Sequence, residues 1–61
     1  HDLGSREEAL ALLRRNSARY VGLEATKAQR RMYGLLARRG FDPETTRHAV
    51  ERAWSEIEGE D

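Results

Sequence analysis

"LLARRGFDP", Leu35 to Pro43, is the stretch on which the reading of this chain turns. Leu35 and Leu36 close an apolar stripe. Gly40 suits the left-handed backbone that stops a helix, and with Gly40 as the first residue past the cap, Phe41 folds back on Leu36, its usual apolar partner in that motif. Asp42 is a favoured N-cap, and Pro43 takes the first helical position, where its missing N–H costs nothing. Glu44 then sets a negative charge at the positive end of the new helix. The nine residues read as a corner between two helices.

Outward from the corner, the preceding helix covers residues 24–39, with Ala25, Ala28, Met32, Leu35 and Leu36 spaced as one apolar stripe. The following helix covers residues 43–58, with Thr46, Ala49, Val50, Ala53, Trp54 and Ile57 facing inward; Trp54, the largest apolar side chain, is expected at the centre of the core. Further upstream, Ser5 and Glu8 form a capping-box pattern that opens a helix over residues 6–20. Ala9, Leu10, Leu13, Ser17 and Tyr20 share one of its faces, and Gly22 follows it. Asn16 and Ser17 weaken that face, so this helix is expected to be the loosest of the three.

No alternating β-branched run suggests a strand, so the fold class is all-α, a compact three-helix bundle. Residues 1–5 are expected to be a disordered or non-native N-terminus, residues 6–58 the three-helix unit, and residues 59–61 a frayed acidic tail. The core is thin for an independent domain, which suggests one unit of a helical-repeat protein.

Length and composition narrow the function. A chain of 61 residues makes one small domain at most. It has no cysteine, which removes disulfides and thiolate metal ligands and fits a reducing cytoplasm. No apolar run approaches the roughly 18 residues of a membrane span. There is no His-Glu-x-x-His motif, no glycine-rich phosphate loop and no Cys/His cluster. Ser5, Ser17 and Ser55 have no His–acid pair at a suggestive spacing, and His48 falls opposite the apolar stripe of its helix. The expectation is a non-enzyme without cofactor, metal or small-molecule substrate.

Charge is the informative property. The net charge is zero, yet Arg14 to Arg39 holds eight basic residues and one acid, Glu24, while Gly40 to Asp61 holds seven acids and two arginines. Such segregation either pairs the acidic third helix with its neighbours or builds a one-sided basic surface for an anionic partner. All the basic residues but Lys27 are arginine, the better bidentate partner of carboxylate and phosphate, although a GC-rich coding sequence produces the same excess. Lys27, Arg31, Gly34 and Arg38 recur along one side of the second helix, flanked by Arg30. Arg14, Arg15 and Arg19 add positive charge from the first helix, and the crossing angle decides whether they join this stripe. Gly34 costs roughly 1 kcal/mol against alanine in a helix interior. Close approach of a partner accounts for it, and so does a slight kink; the sequence leaves both open. The candidate partner-binding set is Lys27, Arg30, Arg31, Gly34, Arg38, Arg15 and Arg19.

With these residues in hand, "MYGLLARRGFDPETTRHAVERAW" resembles the repeat of the RecX family of bacterial recombinase regulators. Those repeats carry a helix ending in Leu-x-x-Arg-Gly-Phe or -Tyr, followed by a helix with apolar residues spaced as Ala49, Val50 and Ala53. "REEALALLRRNSARY" and "KAQRRMYGLLARRGF" also look like the helices leading into such a repeat, the last one in particular. The likeness covers about Arg6 to Glu58. It implies a module, one of about three in the family's usual members, that binds the RecA filament on single-stranded DNA and inhibits its recombinase and coprotease activities, without catalysis or cofactor. The processes implied are DNA recombination, DNA repair and the SOS response, in the cytoplasm. Two other readings stand beside it. Helices two and three resemble a helix-turn-helix unit, but the would-be reading helix carries Glu44, Glu51, Glu56 and Glu58 against Arg47 and Arg52, a poor surface for a phosphate-lined groove. Ubiquitin-associated modules are also three-helix bundles with a glycine–aromatic loop, but theirs follows the first helix and this one follows the second.

Overall fold

A computed structural model of the chain describes residues 2–59. It contains three α-helices: α1 (Asp2–Arg15), α2 (Ala25–Arg38) and α3 (Pro43–Gly59), with a short 3₁₀ turn, Ser17–Arg19, between the first two. The all-α, three-helix fold expected from the sequence is present. Helix α3 is the shared element: its broadest contact is with α1, and α2 packs on it as well. The expectation that the first helix is the loosest therefore fails on packing. The apolar pattern is thin, but α1 buries Ala9 and Leu13 completely against its neighbours.

The corner follows its chemistry closely. Gly40 has φ of 92°, in the left-handed region. The Gly40 N–H donates to the Ala37 carbonyl and the Phe41 N–H to the Leu36 carbonyl, each at 3.1 Å, which satisfies the last orphan carbonyls of α2. Phe41 packs, half-buried, on the cluster that contains fully buried Leu36. Across the corner, the Thr45 N–H donates to Asp42 Oδ1 at 2.8 Å and the Thr46 N–H to the Asp42 carbonyl at 2.9 Å. Asp42 is thus the N-cap of α3, with Pro43 at its first position.

Helix α1 departs from expectation at both ends. It starts at Asp2, so Ser5 lies inside the helix and caps nothing, and residues 2–5 are helical, not a disordered lead-in; His1 lies outside the described residues. Nothing in the segment forces a stop at Ser5, because a capping-box pattern permits a helix start without requiring one. At the other end α1 stops at Arg15, not near Tyr20. The Asn16 backbone N–H is shared between the Leu12 and Leu13 carbonyls at 3.3 and 3.1 Å, its side-chain amide also donates to the Leu12 carbonyl at 2.9 Å, and the chain tightens into the 3₁₀ turn. That turn rotates Tyr20 into the core, where it is 5% exposed. Helix α3 runs through Gly59; Glu60 and Asp61, the end of the expected frayed tail, lie outside the described residues.

The core consists of Ala9, Leu13, Tyr20, Ala28, Met32, Leu36, Ala49, Val50 and Ala53. Its largest fully buried side chains are Leu13, Met32, Leu36 and Val50. Trp54 is not its centre. The indole is half-buried and packs at the margin with Leu10, Leu12, Leu23, Leu35, Phe41 and Ile57. Four alanines occupy the middle, where helices approach closely and an indole does not fit; a ring of that size is accommodated at the edge. Thr45 and Thr46 are also buried, and Thr46 Oγ1 has no hydrogen-bond partner, an uncompensated desolvation.

Two carboxylates tie this fold to pH. Hydrogen bonds from the Thr45 side chain and backbone hold the Asp42 carboxyl below its ordinary range, and the Arg14 guanidinium does the same for Glu56. Folded values depressed below the unfolded ones contribute stability that is complete above the unfolded pKa, near 4. It is lost as pH falls through the folded values. Thermal melts are expected to show a midpoint that drops as the solution is acidified below about pH 4. Asp42→Asn, which keeps a good cap without the titrating group, is expected to flatten that drop. An acid limb unchanged in Asp42→Asn and Arg14→Gln would remove these two groups from the account.

Candidate anion-binding face on α2

The outer surface of α2 is built by exclusion. Ala28, Met32 and Leu36 turn inward and are fully buried, which forces Lys27, Arg30, Arg31, Gly34 and Arg38 outward, and all five are exposed. The 3₁₀ turn then decides what joins them. A groove of about 330 Å³ forms between that turn and α2, lined by Asn16, Arg19, Tyr20, Arg31, Gly34, Leu35 and Arg38. Three guanidinium groups from two elements share it.

The structure divides the sequence-derived set. Arg19, Arg31, Gly34 and Arg38 come together in the groove. Arg30 lines a neighbouring hollow with Thr26, Gln29 and Tyr33. Lys27 and Arg15 are exposed and line neither. Arg14 leaves the basic side altogether. It grips Glu56 of α3 with Nε to Oε1 at 2.9 Å and Nη2 to Oε2 at 2.5 Å, a bidentate pair across the α1–α3 contact. The acidic third helix does pair with a neighbour, as one reading of the charge pattern expects, and among the described residues it does so through this single arginine.

Asn16, Tyr20 and Tyr33 were not in the sequence-derived set. Tyr20 reads correctly as a core residue from its spacing, but its position on the groove lining needs the 3₁₀ turn. Burial pushes the Tyr20 phenol up, while the charges of Arg19 and Arg31 pull it partly back. The signal for Tyr33 was available: an aromatic three residues after Arg30, on the polar side of a helix.

Among the described residues no carboxylate forms an ion pair in the groove. Among the described residues the ion pairs are Arg14–Glu56, Arg47–Glu51 at 3.7 Å and Arg52–Glu56 at 3.5 Å, none of which involves Arg19, Arg31 or Arg38. Such a concentration of planar donors fits anionic oxygens, either carboxylate or phosphate. Among the described residues no three His, Cys, Asp or Glu side chains are grouped as metal ligands, and no helix is long and apolar enough to cross a membrane.

Gly34 has no internal justification. It lies mid-helix with ordinary helical backbone, and a Cβ built on it meets nothing within 4 Å. Gly34→Ala is therefore expected to stabilise the fold by about 0.5–1 kcal/mol. In a domain of this size that is a rise of several degrees in the thermal midpoint, read by circular dichroism. An unchanged or lower midpoint would mean that the glycine has a folded-state role.

A family model described as RecX, third three-helix domain, matches residues 5–59. No curated protein and no solved structure gives a significant match. The match spans the corner, all three inward stripes and the basic face, and the resemblance drawn from "MYGLLARRGFDPETTRHAVERAW" lies wholly within it. The chain belongs to the RecX family and carries its third three-helix domain.

Proposed function

We propose that this chain is a non-enzymatic regulatory module that docks on the RecA–single-stranded DNA filament and inhibits the recombinase, in the cytoplasm of a bacterium. The observation that carries the reading is the uncompensated groove of Arg19, Arg31 and Arg38 on a domain of this family. A nucleoprotein filament offers anionic oxygens that such a groove takes up, and positioning needs no catalytic group. Helix α3 is a poor candidate for groove reading by a helix-turn-helix: its outer face exposes Glu44, Glu51 and Glu58, repeating every seven residues. The test is titration of the 61-residue chain into fluorescently labelled RecA filaments, read by anisotropy, together with RecA-dependent strand exchange. Saturable, salt-sensitive binding with loss of strand exchange is expected. Absence of binding to the filament by a chain shown to be helical would leave the domain a purely structural repeat.

A further inference from the structure

We propose that the outer face of α2 is a track for single-stranded nucleic acid, with phosphate held in the Arg19–Arg31–Arg38 groove, the strand crossing the bare helix backbone at Gly34, and a base stacked on Tyr33 beside Arg30. The inference deepens the reading above by giving the domain its own contact to the strand, and it is tested without RecA.

Three independent features converge. The groove concentrates three guanidiniums, and no carboxylate pairs with any of them among the described residues. Tyr33 is 38% exposed and, with Val21, is one of the two large hydrophobic side chains left open among the described residues. It lines a shallow hollow whose other walls are Thr26, Gln29 and Arg30, which supply a cation and hydrogen-bonding groups of both kinds around an aromatic face. Between groove and hollow lies Gly34. At 100° per residue its position on the helix falls between those of Arg31 and Tyr33, and the space over its Cα is open. Ala37, one turn on from Tyr33, is exposed and small as well. A polymer chain crossing from groove to hollow there meets no side chain at Gly34 and only a methyl group at Ala37, with Arg30 flanking the path.

The combination selects the ligand class. An acidic peptide uses the arginines and leaves Tyr33, Thr26 and Gln29 without a role. A duplex offers phosphates but keeps its bases stacked on one another, out of reach of an isolated surface tyrosine. A single strand presents phosphate and free base faces together, and cationic grooves interleaved with aromatic platforms are how such strands are held. Arg30 beside the ring adds a second planar surface for the same base.

The experiment titrates the 61-residue chain into a labelled oligo-dT of about 12 nucleotides, with no RecA present. Binding is expected to weaken with salt at a log–log slope of about −2, for three phosphates contacted on a single strand. Tyr33→Leu is expected to weaken it about tenfold and Tyr33→Phe to restore it. Gly34→Gln should weaken it about fivefold or more while leaving the helix more stable, because an amide side chain then blocks the crossing. Circular dichroism on each variant separates lost binding from lost fold. Failure to bind oligo-dT, equal affinity for duplex of the same length, equal competition by polyglutamate, or indifference to Tyr33→Leu would each overturn the proposal. Filament docking through protein contact would survive any of those results, so failure here and failure of the RecA reading are told apart.

Discussion

Leu36→Ala is expected to unfold most of the chain at physiological temperature. Leu36 is fully buried, and its carbonyl accepts the Phe41 N–H that ends α2. Truncating such a leucine costs about 2–5 kcal/mol, through lost transfer free energy and the cavity left behind. Small domains hold about 3–5 kcal/mol in all, so the loss is comparable with the whole stability. Few large side chains surround the site: among the described residues Leu13, Met32 and Val50 are the other bulky groups that are fully buried, and the alanines between them cannot move to fill a hole. Circular dichroism at 222 nm should show a greatly reduced signal without a cooperative melt. Leu36→Met, close in volume, should cost less than about 1.5 kcal/mol and keep the transition. A sharp melt in Leu36→Ala only a few degrees below the parent would place the core's centre elsewhere.

The second large effect belongs to binding. Arg19→Glu, Arg31→Glu and Arg38→Glu together turn three positive charges in one groove into three negative ones. All three side chains are exposed and none joins an ion pair among the described residues, so the fold should survive with little change. Affinity for RecA filaments should fall by at least about a hundredfold, because the loss of attraction is joined by repulsion. Added salt should shrink the difference between variant and parent, since both are screened. Arg47→Glu, on α3 and away from the groove, serves as the control and should shift affinity by less than about threefold. Equal losses in control and triple variant would reduce the groove to one part of a diffuse positive surface. Undiminished binding in the triple variant would move the docking face off α2.

Much of this was legible in the chain. The corner from Leu35 to Pro43 is local chemistry: a left-handed glycine, a fold-back aromatic and an aspartate cap act within a few residues of themselves, so sequence alone specifies them. The inward residues of α2 were equally readable, because a helix of known period must bury the side that is apolar. The start of α1 was misread because a capping pattern is permissive. Its end was misread because the Asn16 side-chain amide shares the Leu12 carbonyl with its own backbone N–H, which also turns to the Leu13 carbonyl, and spacing does not reveal that local arrangement. Trp54 was misplaced because size ranks side chains by the area they can bury, while the room available depends on how closely α1 and α3 approach.

The basic face shows the same division. That Lys27, Arg31, Gly34 and Arg38 share one side of α2 follows from 3.6 residues per turn. Which arginines of the first helical segment reach them does not. Arg14 and Arg19 are five residues apart, and charge alone does not say where either goes. Tertiary structure sends Arg14 to Glu56 of α3 and, through the 3₁₀ turn, Arg19 to the groove against Arg31 and Arg38. By itself, the sequence determined three helices, the corner joining the last two, the inward stripe of α2 and the family. Spacing sets the i,i+4 pairs within α3, but the neighbours of Arg14 and Arg19 were decided only when the elements packed together, because charges on different elements meet through the geometry of packing and not through their spacing along the chain.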